Sequence, residues 1–138
     1  MDGKLRVAVY RRVGQDSIDQ TSSYVLLNAH DQAFVKAHSN WRQVGSYIDA
    51  GNDRIAFHQM LQDCNAGKID LIVTKSMGRF GDTLAECFQT IQQMLKHDPP
   101  IGVFFECENL NTLDDPEAYM SNETGSDPCL DLFLRLLT

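Results

Sequence analysis

Charged residues and glycines gather in four short runs, each placed directly after a stretch of apolar, β-like sequence. The runs are Tyr10-Arg11-Arg12-Val13-Gly14, Asp49-Ala50-Gly51, Lys75-Ser76-Met77-Gly78-Arg79-Phe80-Gly81 and Glu106-Cys107-Glu108. Guanidinium groups present a planar fork of donors that matches two phosphate oxygens at once, and a lysine adds a point charge. Arg11, Arg12, Lys75 and Arg79 are therefore candidates to hold a phosphate. Spacing alone leaves the plainer reading open, in which these are ordinary cations at loop mouths. Neither G-x-G-x-x-G nor the P-loop pattern occurs, so nothing supports a glycine-cradled nucleotide. Cys64, Cys87, Cys107 and Cys129 lie far apart with no C-x-x-C pair, which argues for buried thiols instead of a metal site. No metal and no cofactor are expected.

The elements that must position these runs alternate in hydrophobic period. Leu5–Tyr10, Val44–Ile48, Ile69–Thr74 and Ile101–Phe105 read as strands, the third apolar enough to be buried on both faces. Between them lie helical patterns. The first runs from about Thr21 to Ala37, with Leu26, Ala29, Ala33 and Ala37 on one face and Thr21, Ser22 or Ser23 as cap. The second starts at Asp53, carries Phe57, Met60, Leu61 and Cys64 as its stripe, and is stopped by Gly67. A T-x-x-E capping box, Thr83 to Glu86, opens the third, whose stripe is Leu84, Cys87, Phe88, Ile91 and Leu95. Pro99-Pro100 forces a turn before the last strand, and Asn109 to Asp127 is polar and loop-like. Asp127-Pro128 begins a terminal helix with Leu130, Phe133, Leu134 and Leu137 in line, widened by Leu132 and Leu136. That stripe covers either its own sheet or a partner subunit.

This pattern predicts an α/β domain of three layers, with a mostly parallel, roughly four-stranded central sheet flanked by helices and a short C-terminal helix. In such sheets ligands gather at the carboxyl ends of the strands, where the four charged runs fall. The 138 residues suit one domain spanning 1–138. No apolar run is long enough to span a bilayer and no signal-peptide core opens the chain, so a cytoplasmic protein with no membrane partner is expected. A formal net charge of −7 weighs against DNA as a sole partner, since phosphate neutralisation supplies much of DNA affinity.

Four segments together carry a resemblance. Tyr10-Arg11-Arg12-Val13 resembles the Y-x-R-V-S segment of the serine recombinase (resolvase/invertase) catalytic domain. Arg54-Ile55-Ala56-Phe57-His58-Gln59-Met60-Leu61 is similar to its R-P-x-F-x-x-M-L helix. Gly67 to Ser76, followed by Arg79-Phe80-Gly81, resembles G-K-I-D-x-I-x-V-K-S…R-F-G-R. Phe105 to Thr112 is similar to F-x-x-E-N-I-D-T. The matches come in order and cover about residues 5 to 114. The resemblance implies metal-free DNA strand exchange, in which a serine at the end of the first strand attacks a backbone phosphate while arginines stabilise its oxygens. It also implies dimers that pair into tetramers. Arg12, Lys75 and Arg79 stand at matching positions.

The departures are as informative. Gly14 stands where the family carries its nucleophile, and Asp82 stands at the second arginine of R-F-G-R. Leu27 replaces a frequent glutamine, and the segment between Asp49 and Arg54 is shorter than usual. At an effective dielectric near 20, a unit charge ~5 Å away is worth about 3 kcal/mol, so Asp82 turns an attraction for phosphate into a repulsion. As the acid just before the Thr83 cap it favours the positive end of the following helix. Ser17 and Ser76 are poor substitutes, because a nucleophile must be placed to a fraction of an ångström. The expectation is a cleavage-dead, oligomerising or regulatory remnant of a mobile-element recombinase, forming homo-oligomers or mixed oligomers with an active relative. The chain shows no C-terminal DNA-binding domain, which fits either a truncated chain or a remnant. The alternatives are a phosphate- or nucleotide-binding α/β protein and a pure protein-interaction module; a phospho-receiver domain fits poorly, because the first strand ends in arginines.

Overall fold

The computed structural model describes residues 4–13, 29–51 and 53–120. Five strands, β1 (Leu5–Val13), β2 (Trp41–Ala50), β3 (Leu71–Thr74), β4 (Gly102–Phe105) and β5 (Leu110–Asn111), follow the order β2-β1-β3-β4-β5 in one sheet. A first helix, α1, is described over residues 29–36. Then come α2 (Ile55–Asn65), α3 (Met77–Phe80), α4 (Leu84–Leu95) and α5 (Glu117–Met120). The α/β class and the mostly parallel sheet are as the alternation of periods predicts. The strand count is corrected from four to five, because a two-residue strand carries no periodicity to read. No described helix is long and apolar enough to cross a membrane. The chain's contacts cluster into two compact units that divide between Val73 and Thr74.

In the first unit β1 and β2 pair in parallel, and Val7, Ala8, Val9 and Tyr10 of β1 are fully buried. The register slips between Val7 and Ala8: Val7 faces Gln43 while Ala8 faces Gly45, leaving Val44 as a bulge residue that is 40% exposed. Because side chains alternate along a strand, one extra residue reverses which face the later ones occupy. Before the bulge, Trp41 packs toward α1, its ring centroid 5.9 Å from Phe34. After it, Tyr47 donates to Asp63 of α2 at 2.5 Å and Asp49 accepts from the first turn of α2. One strand thereby supplies both helices.

The predicted apolar face of α1 is corrected. Ala29, Ala33 and Ala37 are exposed, and Asp31 and Val35 are buried. The buried face is chosen by charge: Arg11 donates to Asp31 Oδ1 from Nε at 3.0 Å and from Nη2 at 2.5 Å, inside the protein. Both ions lose their hydration in a buried pair of this kind, which offsets much of their mutual attraction. In α2 the predicted stripe holds for Phe57, Met60 and Cys64. Gly67 ends it at φ +75, with Lys68 N–H on the Asp63 carbonyl and Gly67 N–H on that of Cys64, the two bonds of a Schellman cap. Across from it, Arg6 grips Asp70 with Nε and Nη2, both at 3.0 Å.

In the second unit, Thr83 caps α4 by accepting from the Glu86 N–H at 3.0 Å. The buried face of α4 is Cys87, Phe88, Thr90, Ile91, Met94 and Leu95, whereas Leu84 is 40% exposed, a correction to the predicted stripe. Strands β4 and β5 form a tight antiparallel hairpin, Phe105 opposite Leu110, whose turn places Asn109 at φ 50. Buried Thr112 closes the hairpin, its hydroxyl accepting from the Val103 N–H at 2.9 Å. Cys64 and Cys87 are buried as expected, but Cys107, on the hairpin turn, is exposed, which corrects the reading of all four cysteines as buried thiols. Cys129 lies outside the described residues.

Candidate functional site

The carboxyl end of β1 and β2 carries a compact polar cluster. Asp49, 3% exposed, is its centre. Its Oδ1 accepts the Ala56 N–H at 2.7 Å, and its Oδ2 accepts the Phe57 N–H at 3.0 Å and the Tyr10 hydroxyl at 2.7 Å. Asp49 thus satisfies backbone donors of the first turn of α2 that have no partner inside the helix. Asp53, expected as the cap, takes the Ile55 N–H at 2.8 Å, so the capping work is shared with Asp49, six positions before the helix. Burial, followed by the bond to Asp49, pushes the Tyr10 phenol well above its usual range, so this hydroxyl stays protonated and serves as a fixed donor.

Two guanidinium groups meet this cluster. Arg54, the residue before α2, gives Nη1 to the Tyr10 oxygen at 3.2 Å and lies 3.8 Å above the Phe57 ring. A cation over a ring face is held by the ring quadrupole, which fixes the plane of the guanidinium. Arg12, next to last in β1, gives Nη2 to the Gly51 carbonyl at 3.1 Å and acts on Tyr10 through its charge. Gly51 itself turns at φ +60 and returns its N–H to the Val13 carbonyl at 2.8 Å, so the short loop after β2 is folded back onto the end of β1. Two guanidinium groups, from Arg12 and Arg54, and the buried Asp49 carboxylate therefore share one strand end.

Of the other expected phosphate ligands, Arg11 is not at such a surface: 4% exposed and paired with Asp31, it is part of the core. Sequence position could not separate Arg11 from Arg12, since adjacent strand residues differ only in the face they take. Arg54 was legible as the first residue of a familiar helix, though not among the expected ligands; its seat on Tyr10 and Phe57 brings it to the same strand end as Arg12.

In the second unit, Lys75 is exposed at the end of β3, and its carbonyl accepts the Cys107 N–H at 2.8 Å. Its neighbour Thr74 similarly takes the Glu106 N–H at 3.0 Å. Arg79 is placed by its backbone as the third residue of α3, and Asp82 is exposed just before the Thr83 cap. The Ser76 side chain makes no cap bond; Glu108 Oε1 instead takes the Met77 N–H at 3.2 Å. The hairpin turn therefore holds the segment that carries Lys75 and Arg79. Gly81 fits where nothing larger does: a Cβ there would lie 2.7 Å from the Cys87 backbone nitrogen. Gly14, and the terminal-helix residues Leu130, Phe133, Leu134 and Leu137, lie outside the described residues.

The profile of the family described as "Resolvase, N terminal domain" matches residues 7–123. The fold is similar to the crystal structure of the N-terminal catalytic domain of TP901-1 integrase, with a TM-score of 0.59 and 17% identity over 96% of this chain and 98% of that one. It is also similar to a resolvase family site-specific recombinase from Streptococcus pneumoniae, with a TM-score of 0.63 and 22% identity over 83% of this chain and 82% of that one. Among curated proteins there is no significant sequence match.

Proposed function

The chain belongs to the resolvase N-terminal domain family, and from that premise we propose that it is a recombinase domain that holds a DNA backbone phosphate without cutting it. The observation that carries this reading is the pair Arg12 and Arg54, both engaged with the Tyr10 environment at the end of β1. Guanidinium groups seated this way stabilise charge on phosphate oxygens. Lys75 and Arg79 are proposed to add to phosphate binding, by their match to the family's positions.

Strand cleavage of the family's kind needs a hydroxyl oxygen to form the bond to phosphorus as the strand's own oxygen leaves. Glycine at position 14 supplies no such oxygen. Asp82 adds a negative charge where the family places an arginine, which weakens the hold on a phosphate whose oxygens gain negative charge as phosphorus becomes pentacoordinate. Tyr10 is no replacement, since its hydroxyl is buried and committed to Asp49. On this reading the domain acts through binding and assembly, as a homo-oligomer or in mixed oligomers with a cleaving relative, with Leu130, Phe133, Leu134 and Leu137, which lie outside the described residues, proposed to meet the partner.

The test is fluorescence anisotropy with a labelled generic duplex, at low and moderate salt, run beside denaturing gels of the same mixtures. Binding that falls steeply with salt is expected. Arg12→Ala and Arg54→Ala should each weaken it about tenfold, as loss of a charged hydrogen-bond donor does. No binding at low salt would overturn the DNA reading, and a covalent protein–DNA band would overturn the absence of cleavage.

A further inference from the structure

We propose that a groove at the start of β2, away from the strand ends, docks an acidic, extended peptide of a protein partner. The groove has a volume of about 630 Å³, within the range of sites that enclose several side chains. Its walls carry Lys4, Lys36 and Arg42, and Val35 and Trp41 contribute its apolar floor. Among the described residues that line it there is no carboxylate. In a chain with 19 acidic and 12 basic side chains, a lining chosen without regard to charge would hold more acids than bases. This one reverses the balance of the whole molecule.

The floor is preorganised. Trp41 is only 7% exposed and stacks on His38 with ring centroids 3.7 Å apart, so the indole has little freedom to lose when covered. Strand β2 is at the edge of the sheet, and the bulge at Val44 interrupts its regular spacing. Such a bulge discourages a continuous added ladder, so recognition here rests on side chains. Lys4, Lys36 and Arg42 are all exposed and supply the electrostatic steering.

Peptide is favoured over nucleic acid on two grounds. The register sets Trp41 beside Leu5, Ser46 beside Val9 and Asp49 beside Arg12, so the groove, which runs from Trp41 to Ser46, ends three residues short of the arginine pair, about 10 Å at the usual rise per residue, and its far end is about 23 Å away. A phosphate held at the strand end does not reach the groove. A sugar-phosphate backbone also brings no apolar side chain for the Val35–Trp41 floor, whereas an acidic peptide with interspersed leucines brings both components.

The experiment uses the whole chain and a fluorescein-labelled ten-residue peptide of alternating leucine and glutamate, with a leucine–lysine peptide as control. The acidic peptide should bind and the basic one should not. The double substitution Lys36→Glu and Arg42→Glu, at exposed positions, should weaken peptide binding more than tenfold with an unchanged circular dichroism spectrum. The same variant should bind a labelled duplex as the parent does, while Arg12→Ala should bind the peptide as the parent does. Absence of peptide binding by the parent overturns the proposal. So does a variant that loses duplex while keeping peptide, which would make the groove a nucleic-acid surface.

Discussion

Replacing Asp49 by asparagine should unfold the first unit far more readily than one lost charge suggests. Two carboxylate oxygens serve three donors, the N–H groups of Ala56 and Phe57 and the hydroxyl of Tyr10. An asparagine keeps one oxygen and turns the other into a donor. If the amide nitrogen takes the Oδ1 place, it faces the Ala56 N–H. If it takes the Oδ2 place, the Tyr10 oxygen can turn to accept from it, but the Phe57 N–H is left facing a donor. Either way at least one backbone N–H in the first turn of α2 is orphaned, at about 1–3 kcal/mol, and the remaining bonds drop from charged to neutral strength. The sum is about 2–4 kcal/mol. With a denaturation slope of about 2 kcal/mol/M in urea, the midpoint should fall by about 1–2 M. Trp41 is the chain's only tryptophan and lies on the same strand, so its fluorescence reports this unit directly. Tyr10→Phe alone should cost about 1 kcal/mol, and in the double variant the two losses should sum to less than their separate values, because they share one bond. A midpoint for Asp49→Asn within about 0.3 M of the parent, at unchanged slope, would refute the claim that this carboxylate holds strand, helix and Arg54 together.

Gly81→Ala should destabilise the protein by about 2 kcal/mol, since the new methyl meets backbone of α4 at 2.7 Å, whereas Gly78→Ala, with open space around it, should be neutral or slightly stabilising in thermal melts. The Arg6 bonds hold the Asp70 carboxyl below its ordinary value, so its contribution is present above the unfolded value near 3.9 and fades as pH falls through the folded one. Asp70→Asn should therefore cost about 1 kcal/mol at neutral pH, in urea titrations, and the gap to the parent should close below about pH 4. Burial pushes the Cys64 thiol up to about 12, so at pH 8 a maleimide should label exposed Cys107 and spare Cys64 and Cys87 in the folded protein, as read by peptide mass spectrometry.

The sequence exposed the architecture because its helices and strands follow their periods. Phe57, Met60 and Cys64 at helical spacing, and the Thr83–Glu86 start of α4, appear where predicted. It misled where a polar group takes a buried place. Asp31 occupies the inner face of α1 because Arg11 meets it there, and an apolar-periodicity reading assigns that face to alanines instead. The strand-end site was legible in Arg12 and in the run beginning at Asp49. Asp49's grip on α2 and the seat of Arg54 on Tyr10 and Phe57 were not, because they depend on which way neighbouring residues turn. Short elements escaped for a related reason: β5, α3 and α5 span too few residues to complete a period.

The slip at Val44 also governs how the gene can change. Upstream of it Trp41 answers to α1, and downstream Asp49 answers to α2, so the parity of residues between them is fixed. Losing a single codon there would restore plain alternation and carry Tyr47 and Asp49 to the wrong side together. Removing two, or adding two, would preserve the sidedness and merely shorten or lengthen the ribbon. Length variation among descendants of this sequence should therefore come in even steps within β2, and in any number after Gly51, where the loop imposes no such arithmetic.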